Sequence, residues 1–496
     1  MLEELKRLFK HSSIYGLGNV LGKMVGFFMI PVYTHYLTTA DYGVLELLDL
    51  SLALMGLVLT MWMNASIVRH YYDYDDPQDR NEVVSTIYLL AVAIGAAVAL
   101  AGVYLSRPLA RLILKTSDLH SYVSLIALSF FVTCITVVCF SYLRAKQKPV
   151  FIVGAEMANL VMTLSMNIYF IVFRHMGVIG VLYSSLLANS LIACVMSVYT
   201  LREVSIHFSY RKLKAVVVFG APLVLTSMAA FAVNFSDRFF LRHYSTISNV
   251  GIYALGYKFG FMISFLVVQP FDMIWSARMY EIDKQEDGRQ TFSKIFEYYA
   301  LALVAAALGL SLIIKEVIQV ISAPDFHAAY KVVPLVALAY VFQGMNRFFW
   351  TGTYISKKTL YMGIVGGTSA ASNLLLNFLL IPRYGMMGAA WATASSFMVM
   401  AAMAYFVSQR VHYVPYRFSR LIMLLGLAAA FYLGSTLITT PYLVLSAFLK
   451  IVLFLVFPVA LYLFGFFEKR EVQKAREVAR GFLTRHRLRA AAVSGR

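Results

Sequence analysis

Ionisable residues interrupt stretches of this chain that are otherwise almost wholly apolar, and nine of them could do chemistry there. The cations are Lys23, Arg238, Lys258, Arg347 and Lys450, and the acids are Glu46, Asp49, Glu156 and Asp237. Each such residue costs about 2.5–3.5 kcal/mol at the bilayer centre on insertion scales, so it must face a partner or a wet cavity. Cations in such a cavity hold an anion by charge-assisted hydrogen bonds. A buried carboxyl has a raised pKa, so Glu46, Asp49, Glu156 or Asp237 could bind a proton or an ion during transport, or simply neutralise a cation; ion pairing is the safer reading.

Lys23 lies about twelve residues into its stretch, near the midplane at roughly 1.5 Å per residue, where snorkelling reaches poorly. Asn19 is one turn below it on the same face, and Gly18, Gly22 and Gly26 line a neighbouring face that permits close helix contact. Neighbours on a helix point about 100° apart, so Asp237 and Arg238 are expected to serve different partners. Lys450 reads as structural or lipid-facing. Arg69 and His70 are either first contacts for an arriving headgroup or ordinary boundary residues.

The elements that carry these residues are transmembrane helices. Of 496 residues 60% are hydrophobic and 14% charged, mean hydropathy is +0.72, and a soluble chain would carry about 25% charge. Lipid offers no partners to the backbone, so a span of about 20 apolar residues must be helical. Fourteen spans are predicted, over 11–36, 42–66, 83–106, 119–143, 150–173, 176–201, 215–241, 249–275, 296–314, 332–355, 359–382, 384–409, 421–439 and 441–467. The longest expected connections, 276–295 and 315–331, are too short for an extramembrane fold. An all-α integral membrane protein with no soluble active site follows, and a transporter is favoured over an enzyme.

Lys and Arg number about 30 in the loops on the N-terminal side and about 8 on the other, which places both termini in the cytoplasm. The net charge of +18 is thereby topology and attraction to anionic lipid, not nucleic-acid binding. Cys134, Cys139 and Cys194 fall inside apolar stretches, so neither disulfides nor a metal site is expected, and no cofactor. No cleaved signal peptide is expected either. The acidic run Tyr71-Tyr72-Asp73-Tyr74-Asp75-Asp76 reads as a solvated loop.

An internal repeat organises the spans. His35-Tyr36-Leu37-Thr38 with Gly43 and Leu47 follows the first span, and His243-Tyr244-Ser245-Thr246 with Gly251 and Leu255 follows the seventh, 208 residues later. Gly177 and Gly180 open span six, and Gly385 and Gly388 open span twelve at the same shift; Asn167 and Asn377 match with a two-residue slip. The expected organisation is an amphipathic N-terminus 1–10, an N-lobe 11–201, a cytoplasmic linker 202–214, a C-lobe 215–409, two added helices within 410–467 and a basic tail 468–496.

The sequence resembles the multidrug/oligosaccharidyl-lipid/polysaccharide exporter superfamily and, within it, the oligosaccharide flippases of bacterial surface-polysaccharide synthesis. The resemblance rests on Asn234-Phe235-Ser236-Asp237-Arg238-Phe239-Phe240-Leu241, Tyr253-Ala254-Leu255-Gly256-Tyr257-Lys258, Lys357-Lys358-Thr359, and Asn377-Phe378-Leu379-Leu380-Ile381-Pro382-Arg383-Tyr384-Gly385. It implies two six-helix lobes around a central cavity that opens alternately to either side. It further implies a lipid-linked oligosaccharide carried outward on an isoprenoid (undecaprenyl) pyrophosphate, across a bacterial cytoplasmic membrane.

On that reading Lys23, Arg238, Lys258 and Arg347, with Asn19, ring the cavity and hold the pyrophosphate. A monomer is expected, with polymerase and glycosyltransferase machinery as further partners. Outward movement of negative charge gains about 2.3 kcal/mol per charge per 100 mV. Alternatives are a peptidoglycan-precursor flippase and a cation-coupled drug exporter; for the exporter, acids should dominate the cavity.

Overall fold

The computed structural model describes residues 27–467 apart from 439. Lys23 and Asn19, the glycines Gly18, Gly22 and Gly26, the N-terminal segment 1–10 and the basic tail lie outside the described residues. Within them the chain is helical, with no strand. Helical residues 27–36 form α1. There follow α2 (Thr39–Leu59), α3 (Met61–Tyr71), α4 (Pro77–Tyr104), α5 (Ser106–Leu114), α6 (His120–Ala145), α7 (Pro149–Ile168), α8 (Gly177–Val204), α9 (Tyr210–Tyr244), α10 (Ile247–Ile263) and α11 (Gln269–Asp283). The last elements are α12 (Gly288–Ile321), α13 (Val333–Ile355), α14 (Leu360–Val411), α15 (Phe418–Thr436) and α16 (Leu443–Leu463).

Ten of the described helices are long and apolar enough to cross a membrane by themselves, and up to twelve when two bent pairs are included. The 52-residue α14 is two helices joined at Gly385, whose φ of +54° and ψ of −130° break the helical run. Predicted spans two to fourteen each have a helix or half of α14; of the first, 11–36, only the last ten residues, α1, are described.

The expected long connections are mostly helix. The segment after the eighth span continues to Asp283 and the next helix starts at Gly288, while Pro324–Lys331 is a 3-10 helix. Polar residues ended the apolar pattern there, but a helix satisfies its own backbone in water as well as in lipid, so composition did not mark its end. The 202–214 linker likewise shrinks to the few residues between α8 and α9.

The repeat has a physical echo. Thr38 caps α2, its Oγ1 accepting from the Asp41 amide at 3.1 Å, with the Asp41 carboxylate taking the Thr38 N–H in return. Thr246 caps α10 in the same way, accepting from the Asn249 amide at 3.2 Å. Such caps satisfy amides that would otherwise be orphaned at the helix start. Gly177 and Gly385, a repeat pair, share a left-handed φ near +55°, a conformation costly to any residue with a Cβ.

The two lobes meet where α2 crosses α10. A Cβ on Gly43 would lie 2.1 Å from the Ile247 carbonyl oxygen and 3.1 Å from the Gly251 nitrogen, so only glycine permits the approach. At the opposite end of the bundle, α9 bends by 50° between Tyr210–Pro222 and Ser227–Tyr244. Its first half rests on the N-terminal lobe: Lys212 bridges Asp79 at 2.6 Å and Glu82 at 2.5 Å, and Gly220 lies against the Trp62 ring.

The added helices α15 and α16 dock on α12 through two buried carboxylates. Glu316 accepts from Lys450 Nζ at 2.6 Å and Ser446 Oγ at 2.7 Å, and Glu297 pairs with Arg420. Of the two readings of Lys450, the structural one applies: its chain turns inward because Glu316 waits there, and only 7% of it is exposed.

Candidate functional site

The charged centre sits near the α2–α10 crossing and is built from both lobes. Gly43 lets α2 and α10 come together, and Tyr42 and Glu46, one turn apart on α2, then stand opposite Lys258 of α10. Lys258 Nζ donates to Tyr42 Oη at 2.9 Å and stands 3.8 Å from Glu46 Oε2. The other Glu46 oxygen is 3.6 Å from Arg238 Nε on α9. Glu46 thereby bridges one half-exposed and one buried cation across the lobe boundary.

Arg238 is not presented to open space. It is 2% exposed; its Nη1 donates to Asp237 Oδ1 at 2.7 Å and to the Asn234 carbonyl at 2.8 Å, and its guanidinium lies 3.8 Å over the Tyr257 ring. The expectation that Asp237 and Arg238 could not pair is corrected. The Cβ directions do diverge, but the long arginine stem folds back, and Asp237 Oδ1 also accepts the Arg238 backbone N–H at 2.9 Å. Asp237 Oδ2 takes the Tyr253 hydroxyl at 2.5 Å and the Thr393 hydroxyl at 3.4 Å, while Tyr340 donates to Tyr257 at 2.9 Å. A carboxylate, a guanidinium and a tyrosine shell compensate one another, as a charge pair out of water requires, with Arg238 Nε alone left without a hydrogen bond among the described residues and turned toward Glu46.

Arg347 on α13 has 53% of its side chain exposed and faces Asp272 of α11 at 3.8 Å. The Lys258 side chain is 46% exposed. These two cations therefore remain reachable by a ligand, whereas Arg238 would have to surrender its partners first. Each of the four described cations singled out from sequence has a carboxylate within 4 Å: Glu46 and Asp237 for Arg238, Glu46 for Lys258, Asp272 for Arg347 and Glu316 for Lys450. The described members of the expected cationic ring, Arg238, Lys258 and Arg347, are thus paired charges, because apolar surroundings penalise an unpaired ion more than they penalise a close pair.

Asp49, one turn from Glu46, is exposed and makes no hydrogen bond or ion pair among the described residues. Glu156 is half-buried on α7 and likewise unpaired there. Arg69 is exposed at the end of α3, its guanidinium 4.4 Å over Phe219 of α9, and His70 Nδ1 is 2.8 Å from Asp73. Both sit far along the chain path from the Glu46 cluster.

Asp272 and the tyrosines Tyr42, Tyr253, Tyr257 and Tyr340 were not singled out from sequence. A signal existed for two of them: Tyr253 and Tyr257 fall at i, i+4, next to Lys258 in the same motif, and Asp272 is an acid inside the predicted span 249–275. Among the described residues no cluster of His, Cys, Asp or Glu could hold a metal ion.

Two repeated helical lobes meeting at a charged crossing define a multi-pass, all-α membrane protein. The chain belongs to the polysaccharide biosynthesis protein family, whose pattern matches residues 32–331. It is 23% identical over 289 residues to the Lsg locus putative protein 1 of Haemophilus influenzae, covering 56% of this chain and 68% of that protein. A second Haemophilus influenzae protein, an uncharacterized membrane protein, is 21% identical over 267 residues, and the match spans 62% of its length.

In fold the chain is similar to a solved structure of the lipid II flippase MurJ in an inward closed conformation. The TM-score is 0.75 at 11% identity, over 90% of this chain and 98% of that one. An inward-facing multidrug resistance MATE family transporter follows with 0.59 at 14% identity, over 82% and 96%. Identities this low speak for the fold alone.

Proposed function

We propose that this protein is a flippase that carries an isoprenoid pyrophosphate-linked oligosaccharide from the cytoplasmic to the periplasmic leaflet of a bacterial cytoplasmic membrane by alternating access, with both termini inside. The observation that carries the reading is the pair Glu46–Lys258, which ties α2 of one lobe to α10 of the other through a half-exposed ammonium. A pyrophosphate is a stronger partner for Lys258 than a carboxylate 3.8 Å away, since it offers more charge and more acceptor oxygens. Its arrival would take Lys258 from Glu46 and loosen the crossing, which couples substrate binding to lobe movement.

Arg347 supplies a second reachable cation, with Asp272 keeping it paired when no substrate is present. Lys23 and Asn19 remain part of this proposal on sequence grounds, and Arg69 and His70 remain candidates for first contact with the headgroup. Membership in a polysaccharide biosynthesis family favours a surface-polysaccharide repeat unit as the sugar cargo. Deleting the gene should leave the lipid-linked saccharide on the cytoplasmic face, and identifying it by mass tests the reading.

A second reading has one observation in its favour. Asp49 offers an exposed carboxylate beside the crossing, with no hydrogen bond or ion pair among the described residues, as a cation-coupled drug exporter would need. Drug resistance on expression, without any effect on surface polysaccharide, would establish that reading instead.

A further inference from the structure

Within the N-terminal lobe, α2, α3, α6 and α8 enclose a cavity of about 380 Å³, separate from the Glu46 cluster, to which no role has been assigned above. Pockets for small organic ligands begin at about 300 Å³. Its wall includes Thr60, Asn64, Thr133, Thr136, Phe140 and Arg144. The break between α2 and α3 at Thr60, with φ −124° and ψ −24°, turns the chain along one side of the cavity.

The hydrogen-bonding state of this wall specifies what it can hold. Thr60 Oγ1 donates to the Gly56 carbonyl at 2.8 Å, Thr133 Oγ1 to Ser129 at 2.9 Å and Thr136 Oγ1 to Val132 at 2.9 Å. Each hydroxyl proton is used within its own helix, so the three threonines offer the cavity lone pairs and no donor. Asn64 Oδ1 accepts from Ser141 Oγ at 2.8 Å and from Arg144 Nη1 at 3.3 Å, and its two amide N–H groups make no hydrogen bond among the described residues. Arg144 itself is exposed, with donors to spare. Phe140 adds an apolar ring face.

The wall also holds Asn189, whose amide is bonded to Asn159 and Ser185. Three acceptors, an amide donor pair, one guanidinium and an aromatic face make a poor seat for a phosphate, which needs donors throughout. They suit a ligand that is itself rich in hydroxyl groups, each of which must give a proton and can take one. We infer that this cavity is a saccharide subsite: it receives sugar rings of the headgroup, while the pyrophosphate engages cations elsewhere in the protein. The inference rests on the flippase reading and deepens it by dividing the cargo between two places. Sugar hydroxyls donate to Thr60, Thr133 and Thr136, and their oxygens accept from Asn64 and Arg144. An apolar ring face rests on Phe140.

The test compares two probes on the purified full-length protein in lipid nanodiscs. One is the lipid-linked oligosaccharide extracted from a strain lacking the gene, and the other is sugar-free undecaprenyl pyrophosphate. The double variant T133V/T136V keeps side-chain shape and removes the acceptors. It should bind the sugar-bearing lipid about tenfold more weakly or worse, with sugar-free lipid unchanged. T133S/T136S, which restores the hydroxyls, should bind both as the native protein does. N64L, on a different helix, should reproduce the selective loss.

Unchanged affinity for the sugar-bearing lipid in T133V/T136V and N64L would overturn the subsite, as would equal losses for both lipids in all the variants. Native protein that binds neither lipid would overturn the flippase reading itself, a result distinct from either.

Discussion

Gly43 and Gly251 stand 208 residues apart in the chain and touch in the fold: a methyl on Gly251 would come within 2.8 Å of the Gly43 nitrogen and 2.1 Å of the Thr39 carbonyl oxygen. The two copies of the repeat thus cross at an equivalent point, and a tight backbone contact between lobes falls on the same residue of each. Just beyond it along α2 and α10, Glu46 meets Lys258.

Gly43→Ala and Gly251→Ala should therefore each strain the crossing by about 1–3 kcal/mol, the usual cost of overpacking. Gly363→Ala and Gly366→Ala are the controls, since a Cβ at either meets nothing within 4 Å. Surface polysaccharide from complemented deletion cells is the measure: the first two variants should reduce it, and the controls should match the native protein.

Arg238→Ala leaves Asp237 buried with its cation gone, and uncompensated buried charge typically costs about 3–5 kcal/mol. The variant should unfold at lower temperature in detergent and accumulate poorly. Substitution of Arg238 and Asp237 together by apolar residues should recover much of that stability. Equal melting of the native protein and Arg238→Ala would show that the burial carries no such demand.

Lys258→Ala and Arg347→Ala are expected to behave differently, because both side chains are about half exposed. Loss of a charge-assisted contact is worth about 1.5–3 kcal/mol, roughly ten- to a hundredfold in binding. Each variant should melt close to the native protein yet deliver little polysaccharide. Melting by fluorescence and polysaccharide by immunoblot separate the two effects.

Lys450→Ala should release α16 from α12 by stranding Glu316, again at about 3–5 kcal/mol. The pair Lys450→Met with Glu316→Gln should melt higher than Lys450→Ala alone. Limited proteolysis after Phe418 would report whether the added helices detach.

The spans were legible because lipid forces one solution on an apolar run, and the repeat was legible because Gly43, Gly251, Gly177 and Gly385 do work no other residue can. Pairing across helices was not. That Glu46 serves Arg238 and Lys258 together depends on a crossing between segments about 200 residues apart, and the Arg347–Asp272 contact depends on the packing of α11 beside α13. The apparent excess of spanning cations came from counting Lys258, Arg238 and Arg347 without Asp272. The fold-back of Arg238 onto Asp237 escaped a rule based on Cβ directions, which holds for short side chains and fails for a stem as long as arginine's. The threonines of the N-terminal cavity carry no sequence signal at all, since helices across this chain use Thr and Ser in the same i−4 bonds.

The most direct measurement of the central claim is the leaflet in which lipid-linked oligosaccharide resides, read with a membrane-impermeant lectin on spheroplasts of deletion cells. With the native gene restored, lectin should reach the lipid-linked sugar from outside; with no gene, or with Lys258→Ala, the sugar should accumulate out of its reach. Full lectin access in cells that lack the gene, or that carry only Lys258→Ala, would contradict the account.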